Sequence, residues 1–246
     1  MKWGWLPVGP LITQRFESSA AHGVNCRRLK PRNSAFLALT KSCVRCRWFG
    51  RHQAGMAPLG HAQIGSYVGD GAESMVRRLL ERPEGAVDSQ VEAYKHHYHE
   101  HCLEQTRLYP GVHSSLEQLR ARGYAMAVVT NKPERISKRI LDGLNVGHCF
   151  GSIVGGNTCV NKKPHPEPLF KACRDLGIDP SACAMVGDSR VDIEAGHNAQ
   201  MPSIGLLGGI GAEDLLRAAG PKHLLDRFTL LLDIFPSLQD IHVPDL

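Results

Sequence analysis

Two aspartates four residues apart, Asp188 and Asp192 in the stretch MVGDSRVDIEAG (185–196), pose the first chemical question. Asp188 ends an apolar run and Asp192 falls one helical turn later, so a strand-to-helix turn brings both carboxylates to one edge of a sheet. Close carboxylates repel unless a cation accompanies them. A hard divalent ion such as Mg2+, which takes carboxylate oxygens, water and phosphate, meets that need. The same spacing also suits plain helix chemistry, with Asp192 favoured in a first turn by the dipole. Thr130 ends the run AMAVVT and precedes Asn131, Lys132 and Pro133. That puts a hydroxyl and backbone N–H groups at a helix N-terminus, either an anion site or an ordinary threonine cap. Lys163, in NKKPHPEP, is pinned by Pro164 and Pro166. So held, it offers a point charge to a phosphoryl oxygen, against the alternative of a solvated loop lysine. The combination of Thr130, Asn131, Lys163, Asp188 and Asp192 is more specific than any member, with the structural alternatives still open.

To converge, these residues need strands that end on a common side. AMAVVT (125–130), SIVGG (152–156), ACAMVGD (182–188) and PSIGLLGG (202–209) read as strands, separated by the helical patterns PERISKRILDGL (133–144), PHPEPLFKACRDLG (164–177, closed by Gly177) and RVDIEAGHNA (190–199). Alternating strands and helices predict an α/β fold with a doubly wound, Rossmann-like parallel sheet, whose ligands sit at the carboxyl ends of the strands. Ahead of it, 73–81, 87–103 and 112–122 have helical apolar spacing. The first two suggest a small helical unit set before the sheet.

The order VVTNK, KKPHPEP and VGDSRVDIEAG resembles the second, third and fourth motifs of the haloacid dehalogenase-like phosphatases. Together SYVGDGAESMVRRLL, HYHEHC, TRLYPGV and VGGNTCVNKKPHPEPLFKAC extend the likeness over about residues 58 to 239, toward the bacterial branch that acts on 2-phosphoglycolate. The resemblance implies a Mg2+-dependent phosphomonoesterase that works through a covalent aspartyl-phosphate on a small phosphorylated acid. It implies that Thr130 hydrogen-bonds the phosphoryl oxygen, that Lys163 holds nucleophile and phosphate together, and that Asp188 ligates Mg2+ with help from Asp192. It divides the chain into an atypical, unstructured basic leader over 1–57, a helical cap over 58–108 and an α/β core over 109–246.

One motif of that family is missing. Its first motif is an apolar strand followed by Asp-x-Asp-Gly, yet residues 1–69 contain no aspartate and only one acid, Glu17. Asp70, in VGDGAES, matches the cap and makes a poor nucleophile. The central first strand of the sheet is therefore expected to be absent or replaced, with SAFLALTKSCV (34–44) as the surrogate. The codons of Val44 to Arg51 permit, one base on, the reading Phe-Asp-Ala-Asp-Gly-Leu-Val-Asp, so the leader reads as out-of-frame translation and the chain as a relative that has lost activity. Activity and its loss both remain open at this point.

Composition narrows the rest. Residues 1–55 hold ten Lys and Arg against Glu17, a net of +9, while the other 191 hold 19 basic and 23 acidic groups, a net of −4. The leader lacks a repeating interleaf of aromatics, which disfavours a nucleic-acid partner. No apolar run reaches the roughly 18 residues a bilayer span needs, so no membrane partner is expected. Eight scattered cysteines in a chain of 246 residues fit buried thiols and a cytoplasmic setting better than a disulfide framework. Cys26, Cys43, Cys46 and His52 make a weak zinc pattern. His96, His97, His99 and His101 crowd one helix, in a structural or substrate-facing role.

Overall fold

Alternate residues of the run AMAVV serve opposite faces of a sheet, as its period of two requires. In a computed structural model, Met126 and Val128 join one apolar cluster and Ala127 and Val129 another. The structure describes residues 34–36, 55–57, 67, 71–82, 87–104, 106–209 and 211–237. The strands are β1 (Ser34–Phe36), β2 (Ala125–Val129), β3 (Ser152–Val154), β4 (Cys183–Gly187), β5 (Ser203–Leu206) and β6 (His223–Leu225). The helices are α1 (Ala72–Leu79), α2 (Asp88–His101), α3 (Val112–Ala121), α4 (Glu134–Gly143), α5 (Glu167–Leu176), α6 (Arg190–Asn198), α7 (Glu213–Ala218) and α8 (Leu231–Ile234).

The six strands form one wholly parallel sheet in the order β3-β2-β1-β4-β5-β6. Val112, Leu116 and Leu119 of α3 cover the face that carries Met126, Val128, Ala184 and Val186. Leu169, Ala172 and Cys173 of α5, with Ala195 of α6, cover the face of Val129 and Met185. Helices on both faces of a parallel sheet are the predicted doubly wound α/β fold. A third cluster closes α1 and α2 through Met75, Val76, Leu79, Val91, Tyr94 and Tyr98 onto Ile136 and Ile140 of α4. Helices α1 and α2 thus share an apolar seam with α4.

The centre of the sheet is filled. Ser34–Phe36, within the expected surrogate strand, pairs in parallel with β2 on one side and β4 on the other. Without it, the inner edges of those two strands would leave backbone groups unpaired. Part of the segment 1–57 therefore belongs to the core sheet. Asp70, Cys26, Cys43, Cys46 and His52 lie outside the described residues. Gly177 ends α5 in the left-handed region at φ +64°, as its placement in the sequence predicts. The short β6, α7 and α8 carry no period long enough to be read beforehand. Among the described residues, no helix is long and apolar enough to cross a membrane.

Candidate active site

Register brings the edge together. Ala127 and Met185 both pair with Phe36, so Thr130 and Asp188, each three residues further on, end their strands at the same level. Lys163 reaches this edge from the loop before α5. Its ammonium donates to the Val129 carbonyl at 2.7 Å and to Asp192 Oδ1 at 2.6 Å. Both side chains of that ion pair are 5% exposed. A lysine has three N–H donors, and among the described residues two of them are taken, which leaves one for a ligand at the end of β2.

Asn131 fixes that loop. Its amide donates to the Lys163 carbonyl at 2.9 Å, and the Lys163 N–H donates back to Asn131 Oδ1 at 3.0 Å. The Thr130 hydroxyl oxygen accepts from the Lys132 N–H at 3.2 Å; the residue that caps α4 is Pro133, so Thr130 is not that helix's threonine cap. Asp192 is buried, and its second oxygen accepts from the Asp188 N–H, the Ser189 N–H and the Ser189 hydroxyl at 3.2, 3.1 and 2.7 Å. One carboxylate thereby closes the β4 to α6 turn and anchors Lys163. Asp192 Oδ2 thus serves the helix-cap reading, while Oδ1 holds Lys163. Gly187 permits this, because a Cβ there would stand 2.2 Å from Asp192 Cβ.

Asp188 is half-buried and faces a glycine loop that follows β5. A Cβ on Gly209 would stand 2.4 Å from Asp188 Oδ2. Tyr109 also lies in its field: burial first, and the Asp188 charge second, push the phenol up to about 12. Tyr109 therefore remains protonated beside the carboxylate at any ordinary pH. Sequence reasoning assigned no role to Tyr109 or Gly209; the only prior signals were the Tyr-Pro-Gly turn and the Gly-Gly pair after a strand. Carboxylate oxygens are the donors that Mg2+ prefers, and Mg2+ is commonly held by one or two of them with water and phosphate completing its shell. Asp188 and Asp192 are carboxylates of that kind, and both oxygens of Asp192 already accept hydrogen bonds within the protein. Among the described residues they are joined by no third His, Cys, Asp or Glu at ligating distance.

A cleft of about 820 Å3 opens between α2 and the start of α4, lined by Glu92, Lys95, His96, His99, Arg135 and Asn157 among others. None of Thr130, Lys163 and Asp188 lines it, but Pro133 does, three residues beyond Thr130. Asn157 Oδ1 accepts from the Glu134 N–H at 2.8 Å and so braces the same helix start. His96 and His99 thus face the cleft, whereas Tyr94 and Tyr98 of the same helix point into the apolar seam with α1 and α4.

Residues 48–206 match the family model described as haloacid dehalogenase-like hydrolase. A phosphoglycolate phosphatase of Haemophilus influenzae is 35% identical over 178 residues, covering 69% of this chain and 80% of that protein. Another from Psychrobacter arcticus is 35% identical over 188 residues, covering 73% and 82%. Among solved structures, a predicted phosphoglycolate phosphatase from Haemophilus somnus superposes with a TM-score of 0.76 at 26% identity, covering 85% of this chain and all of that one.

Proposed function

The chain belongs to the haloacid dehalogenase-like hydrolase family, and from that premise we propose that it is a Mg2+-dependent phosphomonoester hydrolase acting on a small phosphorylated acid, 2-phosphoglycolate first among them. The observation that carries this reading is the Lys163 ammonium, fixed by Val129 and Asp192 with one donor in reserve at the end of β2. A phosphoryl group there meets a fixed cation and the Thr130 hydroxyl, already oriented for charge that develops during transfer. Asn131 positions Lys163 through its backbone, and Asp192 holds the ammonium against recoil. Asp188, with Asp192 behind it, is the carboxylate that holds Mg2+, and the ion when bound neutralises phosphoryl charge. The helices of the cap, assigned to 58–108, exclude water over the core of 109–246. A cytoplasmic setting accords with free thiols at Cys102, Cys149, Cys159, Cys173 and Cys183.

One feature favours a second reading. With no aspartate in residues 1–69, the chain lacks the family's nucleophile, and the site then binds phosphate without turnover. Hydrolysis of 2-phosphoglycolate by the purified chain with Mg2+, beside Asp188→Asn, separates the two. Phosphate release lost in the variant supports the hydrolase. No release above background in either, with phosphate binding retained by the parent, leaves an inactive relative.

A further inference from the structure

On the side of the sheet where strands begin, away from Thr130 and Asp188, three potential metal ligands from two elements meet. Glu117 lies on α3, and His148 with Cys149 forms the single turn Gly147–Cys149 that leads into β3. His148 Nε2 is 2.6 Å from Glu117 Oε1, Cys149 Sγ is 3.7 Å from that oxygen, and Sγ is 3.6 Å from Nε2. Among the described residues this is the one group of three such side chains whose ligand atoms converge.

We propose that Glu117, His148 and Cys149 form a zinc site that clips α3 to the start of β3. Tetrahedral zinc bonds of about 2.3 Å to sulfur and about 2.0–2.2 Å to nitrogen or oxygen imply ligand separations of about 3.5 Å from sulfur to either partner. Both sulfur distances already match. The nitrogen and oxygen, now joined by a hydrogen bond, need only part by under about 1 Å. A sulfur, an imidazole and a carboxylate form a donor set for zinc and exclude the harder Mg2+ of the phosphatase site. Cys149 is buried at 5% exposure, while His148 and Glu117 are open to solvent, so water completes the fourth position. Arg120 Nη1 lies 4.0 Å from the other Glu117 oxygen, Oε2, which leaves Oε1 to the metal. As the zinc–sulfur bond forms, the thiol proton leaves for solvent.

The test is titration of the full chain with Co2+ and then Zn2+, read by thiolate-to-cobalt absorption and by thermal unfolding. The expected result is one equivalent of Co2+ with a thiolate band, displaced by Zn2+, and a rise in melting temperature with either ion. Cys149→Ser abolishes the band. His148→Ala and the surface change Glu117→Gln each weaken Zn2+ by on the order of 100-fold. A chain carrying Cys26→Ser, Cys43→Ser and Cys46→Ser keeps the band, which places it at Cys149. No thiolate band in the parent, a band that survives Cys149→Ser, or an affinity untouched by Glu117→Gln overturns the site.

Discussion

The Lys163–Asp192 pair sets the residue scale, because it is where stability and binding meet. Lys163 is 7% exposed and Asp192 3%, so removing one partner strands the other in a poorly solvated site. Lys163→Met is expected to cost about 3–5 kcal/mol, read by urea unfolding. Asp192→Asn keeps an acceptor for the β4 to α6 turn, and adding it to Lys163→Met should recover part of that loss. Strictly additive losses in the double variant would show that the two charges do not see each other. Sequence made the members of this pair legible as residue types at spacings, but not their bond to each other. A carboxylate four residues beyond a strand end is equally a metal ligand or a helix cap. Only the fold reveals that Asp192 spends its oxygens on Lys163 and Ser189.

At the scale of elements, the strands that alternate and the helices with three or more turns were legible, since periodicity accumulates with length. AMAVVT and ACAMVGD became β2 and β4 within one residue at each end. β6, with three residues all partly exposed, offers no such pattern. The glycine loop after β5 was opaque for a different reason: its role is to have no side chain where Asp188 needs space. Gly209→Ala should push the Asp188 carboxylate aside, weakening the Mg2+ effect on phosphate binding by on the order of 10-fold while costing about 1–3 kcal/mol of stability. Unchanged Mg2+ dependence in Gly209→Ala would show that Asp188 is not placed by that loop.

For the molecule as a whole, the pH dependence of stability has one sign. Hydrogen bonds from Lys171 to Asp175, from Ser181 to Asp179 and from Asn161 to Glu167 hold those carboxyls below their ordinary values. Their contribution is present above those values and is lost as pH falls through the folded ones. Burial, aided by the Lys222 charge, holds His223 below its ordinary 6.5, so its share too is complete above 6.5 and lost on acidification. The melting temperature should therefore fall steadily from about pH 7 to about pH 3, and a rise over that range would contradict these environments. The parallel sheet with helices on both faces was legible in the sequence and the order of its six strands was not, whereas the chemical capacity of the whole turns on a leader without aspartate. What both functional readings share is the phosphoryl site itself. The most direct measurement is calorimetric binding of inorganic phosphate with and without Mg2+, for the parent and for Asp188→Asn. The account predicts phosphate binding that Mg2+ tightens in the parent and leaves unchanged in the variant; no binding by the parent with Mg2+, or a Mg2+ effect that survives in Asp188→Asn, would contradict it.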